Sequence, residues 1–349
     1  MTARETRVGQ VYEPGKVRFL RRELRPLAPD EALIRVRASA ICGSDVHIAR
    51  GKHPSAPLPV TIGHEFSGDL VELGEAVQGF RTGDRVTVEP CTVCGKCEAC
   101  RRGDYNDCEN IRFTYRDGDG AMADYVIVRE SQLYRLPEGM PYEVGALMEP
   151  MAVATHGVRR AGVKLGDTVL ILGAGPIGLL TAAMCRKAGA QRIFISDGSP
   201  ERLALAKELG ATDAIDRHTD EAVEAVMRLT GGRGVDISFE CVGRESCLHQ
   251  ALFALRKGGT AVVAGIYEEA DPSFPVGRLV THELHVLGTQ GYCRDFPIVL
   301  RAAQELPMEK LISHVFPLSQ LQQAIDAALD PKVKNNKIVI LPDGGEKNE

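Results

Sequence analysis

Residues 168–200 read TVLILGAGPIGLLTAAMCRKAGAQRIFISDGSP, and the alternation inside them sets the architecture. TVLILG (168–173) is a continuous apolar run of strand length, and PIGLLTAAMCRKAG predicts a helix that ends at Gly189. RIFISD (192–197) predicts the next strand. Ser199 then stands where an N-cap is needed, Pro200 takes the first helical position, and Gly210 stops that helix. VDISFEC (235–241) and TAVVAGI (260–266) are two more buried-strand runs, each preceded by a glycine turn. Strands alternating with helices in this way form parallel strands with crossover helices, an α/β fold with a doubly wound sheet.

The turn between the first strand and its helix is Gly173-Ala174-Gly175-Pro176-Ile177-Gly178, a G-x-G-x-x-G. The glycines permit a tight turn, close approach of pyrophosphate, and helix–strand packing, and the helix N-terminus offers free N–H groups to phosphate. Asp197 ends the second strand, 24 positions after Gly173, where a carboxylate accepts both ribose hydroxyls and repels a 2′-phosphate. NAD is therefore expected over NADP. Gly198 and Ser199 leave room for a phosphate, and Arg202 could meet one. The plain alternative for Asp197 is a solvated carboxylate at a strand end.

At 349 residues the chain is long enough for two domains, and 44% hydrophobic with 26% charged residues fits an ordinary globular protein. A net charge of −5 with no long block of like charge argues against nucleic acid or an anionic membrane as partner. The start, MTARETRVGQV, lacks an apolar signal core, so a cytoplasmic location is expected. Thr168 to Cys185 contains 18 uncharged residues, but three glycines and a proline break its first half, which fits a strand and helix better than a membrane span. The first 150 residues carry short β-like runs, LIRVRASAI (33–41), DRVTVEP (84–90) and DYVIVRE (124–130). After about residue 290 come a helix, LSQLQQAIDAAL (318–329), a last strand, KIVIL (337–341), and GGEKNE, which reads as disordered.

Two metal sets stand out. Cys94, Cys97, Cys100 and Cys108 lie in CGKCEACRRGDYNDC, a spacing that can wrap one tetrahedral Zn²⁺ and leave no open position, so this site is structural. With ten cysteines and no export signal, metal ligands and free thiols are expected over disulfides; Cys185, Cys241, Cys247 and Cys293 read as small buried hydrophobes. Cys91 opens a rival reading. Cys91, Cys94, Cys97 and Cys100 are evenly spaced, as in a ferredoxin-type run, which would make the chain an iron–sulfur electron carrier. A zinc-binding regulatory module is a further option, disfavoured by the acidic balance. ICGSDVH (41–47) and GHE (63–65) supply the second set: Cys42, His64 and Glu65. Each alone is an ordinary core or surface residue, but together they match the three protein ligands of a catalytic zinc.

The motifs CGSDVH, GHEFSG, the cysteine lobe preceded by Glu89-Pro90, GALMEPMAVATH (145–156), GAGPIG and ECVG (240–243) occur in one order along nearly the whole chain. In this the sequence resembles the zinc-dependent medium-chain dehydrogenase/reductase family, and most of all its sorbitol or polyol dehydrogenase branch. The resemblance implies a GroES-like β-rich catalytic domain (1–153, with the zinc lobe at 91–108), a Rossmann NAD-binding domain (154–290) and a return to the catalytic domain (291–349), with the active site in the cleft between them. It implies that Cys42 and His64 bind the catalytic zinc, with Glu65 and Glu149 sharing the remaining positions with water. Ser44 would pass the alcohol proton toward His47, and Asp45 would orient His64. The cofactor contacts would include Gly173, Gly175, Pro176, Ile177, Gly178, Asp197, Arg202, Val242, Gly265, Ile266, Thr289 and Gln290. The reaction implied is zinc-assisted hydride transfer between a secondary alcohol and NAD, giving the ketone, with two zincs per chain in a homodimer or homotetramer. In GTQGYC (288–293), Gly291 stands where sorbitol-type relatives commonly carry an arginine before the tyrosine. That leaves 2,3-butanediol-type diols, inositol-like substrates and amino alcohols such as L-threonine open beside polyols. Against threonine, MEPMAV resembles the polyol branch and EPCTVC lacks a nearby histidine. Ile48, Arg50, Phe113, Tyr115, Gln290 and Tyr292 are the expected pocket residues.

Overall fold

The structure, a computed structural model, describes residues 5–52, 56–114, 120–267, 271–330 and 332–343. Tyr115 and the closing GGEKNE lie outside the described residues. The chain divides into two units, one made of residues 1–149 with 308–349 and the other of residues 150–307. Residues 291–307 cluster with the second unit. None of the described helices is long and apolar enough to cross a membrane; Thr168–Cys185 forms a strand and most of a helix.

The second unit is built on a parallel sheet of six strands. Across it run Asp213–Asp216, Arg192–Asp197, Thr168–Leu172, Val235–Glu240, Leu255–Val263 and His285–Gly288. Strand order reverses between Thr168–Leu172 and Val235–Glu240, the place where open α/β sheets bind ligands. The helix Pro176–Ala188 starts with proline at its first position and closes on Gly189 in the left-handed conformation. The helix Pro200–Glu208 is capped by Ser199, whose Oγ accepts the Arg202 N–H. Leu170, Leu172 and Phe194 on one face and Val169, Ile171, Ile193 and Ile195 on the other are almost wholly buried, so the central strands are apolar on both faces.

The first unit is an antiparallel-rich assembly of a three-stranded and a seven-stranded sheet with a small two-stranded ribbon at the cysteine lobe. Glu31–Ala40 is the hub of the larger sheet, paired with Glu65–Leu73, Tyr125–Arg129 and the C-terminal strand Lys337–Leu341. Lys337–Leu341 also runs parallel to Ile312–Pro317. The helix Leu321–Leu329 buries Leu321, Ala324 and Ile325 against Val11, Ile48, Ile62 and Met122. Residues from both chain ends thus share one core.

Candidate active site and metal centres

The hub strand sets the first site. Ala40 is in register with Glu65, so Cys42, two residues beyond the strand end, arrives beside His64 and Glu65. Cys42 is also the extended residue that opens the short helix Gly43–Ala49. Gly63, with φ +95°, turns the chain into the second strand, and a Cβ there would lie 2.9 Å from the Met122 nitrogen. One donor atom from each of Cys42, His64 and Glu65 falls within 4.8 Å of the others.

Asp45 ties these segments together from behind. Its Oδ2 accepts the Cys42 N–H at 3.0 Å, its Oδ1 accepts the Gly63 N–H at 3.2 Å, and Oδ1 stands 3.7 Å from His64 Nδ1. That places the carboxylate on the Nδ1 side of the imidazole, leaving Nε2 as the ring nitrogen suited to a metal. Ser44 Oγ is buried beside the Cys42 sulfur and has no other hydrogen-bond partner. His47 lies half-buried on the same short helix.

Lys337 is the residue the sequence reading did not find. Its ammonium, nearly inaccessible, donates to both oxygens of Glu65, at 2.6 Å to Oε2, and to the Ile41 carbonyl at 3.4 Å. Burial alone would pull its pKa down, but Glu65 and Cys42 push it up by more. Glu149 starts the helix Met148–Ala161 and is also buried. Burial, reinforced by the charges of Glu65 and Cys42 and opposed by His64 and Lys337, pushes its carboxyl up to about 8. Burial and the Glu65 charge push the Cys42 thiol up to about 12. These are the features of anionic donors gathered in a dry place with too little positive charge. A thiol, an imidazole and carboxylates in this arrangement fit zinc, whose charge would favour the ionised thiolate and carboxylate.

The second cluster lies in the same unit. The sulfurs of Cys94, Cys97, Cys100 and Cys108 all lie within 4.8 Å of one another. Backbone N–H groups aim at them: Cys94 N donates to Cys108 Sγ at 3.3 Å, Cys97 N to Cys94 Sγ at 3.4 Å, and Asn110 N to Cys108 Sγ at 3.4 Å. N–H donors from Lys96 and Cys97 hold the Cys94 thiol down at about 6, so a thiolate is favoured. Four sulfurs with amide donors fit a closed tetrahedral zinc. Cys91 is not in this group. It lies buried in the short strand Cys91–Thr92 with its thiol 3.7 Å from Glu89 Oε1, so Cys108 rather than Cys91 completes the four.

The second unit carries the glycine turn. Gly173 has φ +95°, and a Cβ on Gly178 would meet the Gly173 carbonyl oxygen at 1.8 Å, so the turn closes only on glycine. A Cβ on Gly175 would meet nothing within 4 Å, which leaves space above the helix start Pro176-Ile177. Asp197 accepts the Ala174 N–H at 2.8 Å and the Ser199 N–H at 2.9 Å, fixing its carboxylate beside the turn. Glu240 performs a similar service across the switch point: it accepts the Val242 and Gly243 N–H groups at 2.8 and 2.9 Å. Gly265 packs against Gly243, with no room for a Cβ. Val242 and Ile266 are 40% and 60% exposed, apolar surface flanking the glycine turn. A glycine cradle, a fixed strand-end carboxylate and exposed apolar flanks fit a dinucleotide.

Beyond the last strand of that sheet, Thr289 Oγ1 is buried with no hydrogen-bond partner, and Gln290 is exposed. Tyr292 is buried edge-to-face with Phe296, ring centres 5.3 Å apart. The segment is held by Asp295, fully buried and also absent from the sequence reading. Asp295 accepts the Cys293 N–H at 2.8 Å, pairs with Arg159 at 2.6 Å, and lies 3.2 Å from His156 Nδ1. Of the other expected pocket residues, Ile48 is wholly buried in the core, Phe113 packs against that core, and Arg50 is exposed.

A chain that joins a dinucleotide turn in one unit to a sulfur–nitrogen–carboxylate donor set in another defines a metal-dependent oxidoreductase. Profiles of two families match it: "Alcohol dehydrogenase GroES-like domain" over residues 28–138 and "Zinc-binding dehydrogenase" over residues 176–305. The sorbitol dehydrogenase of Bacillus subtilis (strain 168) is 34% identical over 319 residues, covering 90% of each chain. Among solved structures, 2R,3R-butanediol dehydrogenase from Bacillus subtilis superposes with a TM-score of 0.88 at 34% identity, covering 97% of this chain and 99% of that one. A protein assigned as a zinc-binding dehydrogenase from Sinorhizobium meliloti 1021, bound to NADP, gives 0.90 at 32% identity over the same shares. The chain belongs to the zinc-dependent medium-chain dehydrogenase family, in its sorbitol/polyol branch, and is an alcohol or polyol oxidoreductase with a GroES-like and a Rossmann domain.

Proposed function

We propose that this chain interconverts a secondary alcohol of polyol type and its ketone with NAD(H) as hydride carrier. The observation that carries the reading is the meeting of Cys42, His64 and Glu65, backed by Asp45 and Lys337, in a chain that also has the Gly173–Gly178 turn with Asp197 fixed beside it. In this reading Cys42 and His64 hold the catalytic zinc, with Glu65 and Glu149 as its carboxylates, and Cys94, Cys97, Cys100 and Cys108 hold a structural one. Zinc supplies a Lewis acid that lowers the pKa of the substrate hydroxyl, and the nicotinamide accepts the hydride. Asp45 fixes the tautomer of His64. Lys337 pairs with both oxygens of Glu65 and offsets part of its charge. Ser44 receives the alcohol proton and hands it on toward His47, so proton release does not require water to enter. Val242, Gly265, Ile266, Thr289 and Gln290 line the cofactor, and Arg202 lies at the adenosine end with Asp197, whose carboxylate favours two ribose hydroxyls over a 2′-phosphate.

Supporting a polyol or diol substrate are the sorbitol and butanediol dehydrogenase relatives, while Gly291 leaves the place before Tyr292 without a side chain to grip distal hydroxyls. All ten cysteines are free thiols, which suits the cytoplasm. The outer strand His285–Gly288 and the neighbouring exposed Val276 and Val280 support a homodimer or homotetramer. The test is metal content with a visible spectrum, then NAD reduction over polyols, diols and threonine on the same sample. Two zincs and NADH formation are expected, whereas iron with a brown colour would overturn the reading. Cys42→Ala should abolish turnover and leave NADH binding measurable; turnover retained in that variant would sink the ligand assignment.

A further inference from the structure

The first unit holds a cavity whose lining the reaction described above does not use. Its volume is about 460 Å³, and Arg25, Glu31, Thr92, Arg112, Thr114 and Arg129 border it. That volume lies inside the range of small-molecule sites, roughly 300–1,000 Å³. The fold brings these residues in from separate segments. Glu31 faces Arg129 across the antiparallel pair Glu31–Ala40 and Tyr125–Arg129, and Thr92 faces Arg112 across the two-stranded ribbon at the cysteine lobe. The Thr114 N–H, just past that ribbon, donates to the Pro90 carbonyl at 2.9 Å. Arg25, Arg112 and Arg129 are all exposed residues, so a ligand can reach them.

Three guanidiniums border the cavity against one carboxylate, which leaves two positive charges in excess. The carboxylate of Glu31 is fully engaged: it accepts from Arg25 Nη1 at 2.5 Å, Arg25 Nη2 at 2.8 Å and the Ala28 N–H at 2.8 Å. Arg129 acts on Glu31 through space, and its guanidinium forms no ion pair or hydrogen bond among the described residues. Thr114 is only 9% exposed, and its Oγ1 is buried with no hydrogen-bond partner. A buried hydroxyl left unpaired is costly, so a site that pairs it on occupancy gains from doing so.

We propose that this cavity binds a small organic phosphate, a phosphate monoester that takes donors from Arg112, Arg129 and the Thr114 hydroxyl. Forked guanidinium donors match phosphate oxygens, and such a group carries roughly −1.5 to −2 charge at neutral pH, close to the excess in the lining. Inorganic phosphate alone would fill a small part of the space; Ile127 and Val128 border the remainder, where the organic part lies. Gln132 belongs to the same lining, and its Nε2 donates to the Glu89 carbonyl at 3.1 Å. Thr92 stands two residues before Cys94, so an occupant that joins Arg112 to Arg129 fastens the base of the cysteine lobe to the strand Tyr125–Arg129.

The experiment is calorimetric titration of the zinc-loaded protein, saturated with NADH so that the glycine turn is already filled, with phenyl phosphate, inorganic phosphate, phenol and phthalate. Phenyl phosphate carries the dianion and an apolar ring but no alcohol to oxidise. It should bind with a Kd below about 1 mM and more tightly than inorganic phosphate, and phenol should not bind. Arg112→Ala and Arg129→Ala should each weaken phenyl phosphate by about tenfold or more, and Thr114→Val by about threefold, with NADH affinity within about twofold of wild type. Phenyl phosphate should also raise the melting temperature of wild type and leave that of Arg129→Ala unmoved. Absence of binding to NADH-saturated wild type overturns the site, as does undiminished affinity in both arginine variants. Phthalate binding as tightly as phenyl phosphate overturns the assignment to phosphate in favour of a dicarboxylate. Absence of binding together with a changed oligomeric state in the arginine variants would make this face an interface between copies, and the proposal would fall.

Discussion

The pair formed by Lys337 and Glu65 withdraws two charges from water, and burial of that kind is tolerated only while each partner keeps the other. Removing the ammonium alone leaves a buried carboxylate next to the Cys42 thiol and Glu149. Lys337→Met should therefore cost the metal-free protein about 3 kcal/mol, and less in the zinc-loaded protein, where the ion answers the same charge. Denaturant melts of both forms check this, and adding Glu65→Gln to Lys337→Met should recover most of the loss; equal melts for wild type and Lys337→Met would refute the account. Glu149 gives a pH signature. Its carboxyl, at about 8 when folded against an ordinary 4.5, keeps a proton in the folded chain that the unfolded chain has lost. Stability from this group is full below the lower value and is lost as pH rises through the higher one. The melting temperature of metal-free protein should thus fall between these limits more steeply than that of Glu149→Gln, and parallel curves would count against it. Cys42, His64 and Glu65 were legible because each sits in a short motif with a neighbour of matching chemistry. Lys337 was not, since a lysine in KIVIL looks like any charge at a strand start, and its partner is 272 positions away.

Among the elements, the helix Met148–Ala161 carries the most varied duties. Its first turn holds Glu149, and its later turns point His156 and Arg159 at Asp295. Asp295→Ala would release the N–H of Cys293, leave the buried His156 imidazole without its carboxylate, and leave the half-exposed Arg159 guanidinium with the Cys293 carbonyl at 3.2 Å but no anion. A loss of about 1–3 kcal/mol in a thermal or denaturant melt is expected, with Asp295→Asn recovering part of it. Unchanged stability in Asp295→Ala would show that Arg159 finds water instead. The cysteine lobe makes the opposite kind of prediction. Cys100→Ser should lower stability or disturb assembly before it touches chemistry, so a stable variant lacking only kcat would mean the two metal sites have been exchanged. The lobe's four sulfurs were readable from spacing, and the strand–helix alternation from apolar runs and glycine stops. Asp295 was hidden because its partners come from a helix far back in the chain.

In the whole molecule, the second unit was the easier to read. Its parallel strands are continuous apolar segments, Gly173 closes the first of them, and Gly189 and Gly210 stop the helices that follow, so local sequence states nearly everything. The first unit pairs Val339 with Ala40, and no local pattern announces that. Such distant pairing has a temporal consequence. The ribosome makes Cys42, His64 and Glu65 first, then the entire second unit, and only after it the strand that carries Lys337. Until Lys337–Leu341 emerges, Glu65 has no ammonium beside it and the hub strand lacks one neighbour. A chain cut short before residue 337 would hold every metal donor and still lack the charge that steadies them. The strand Lys337–Leu341 thereby registers, at the metal centre itself, that synthesis has passed beyond the second unit.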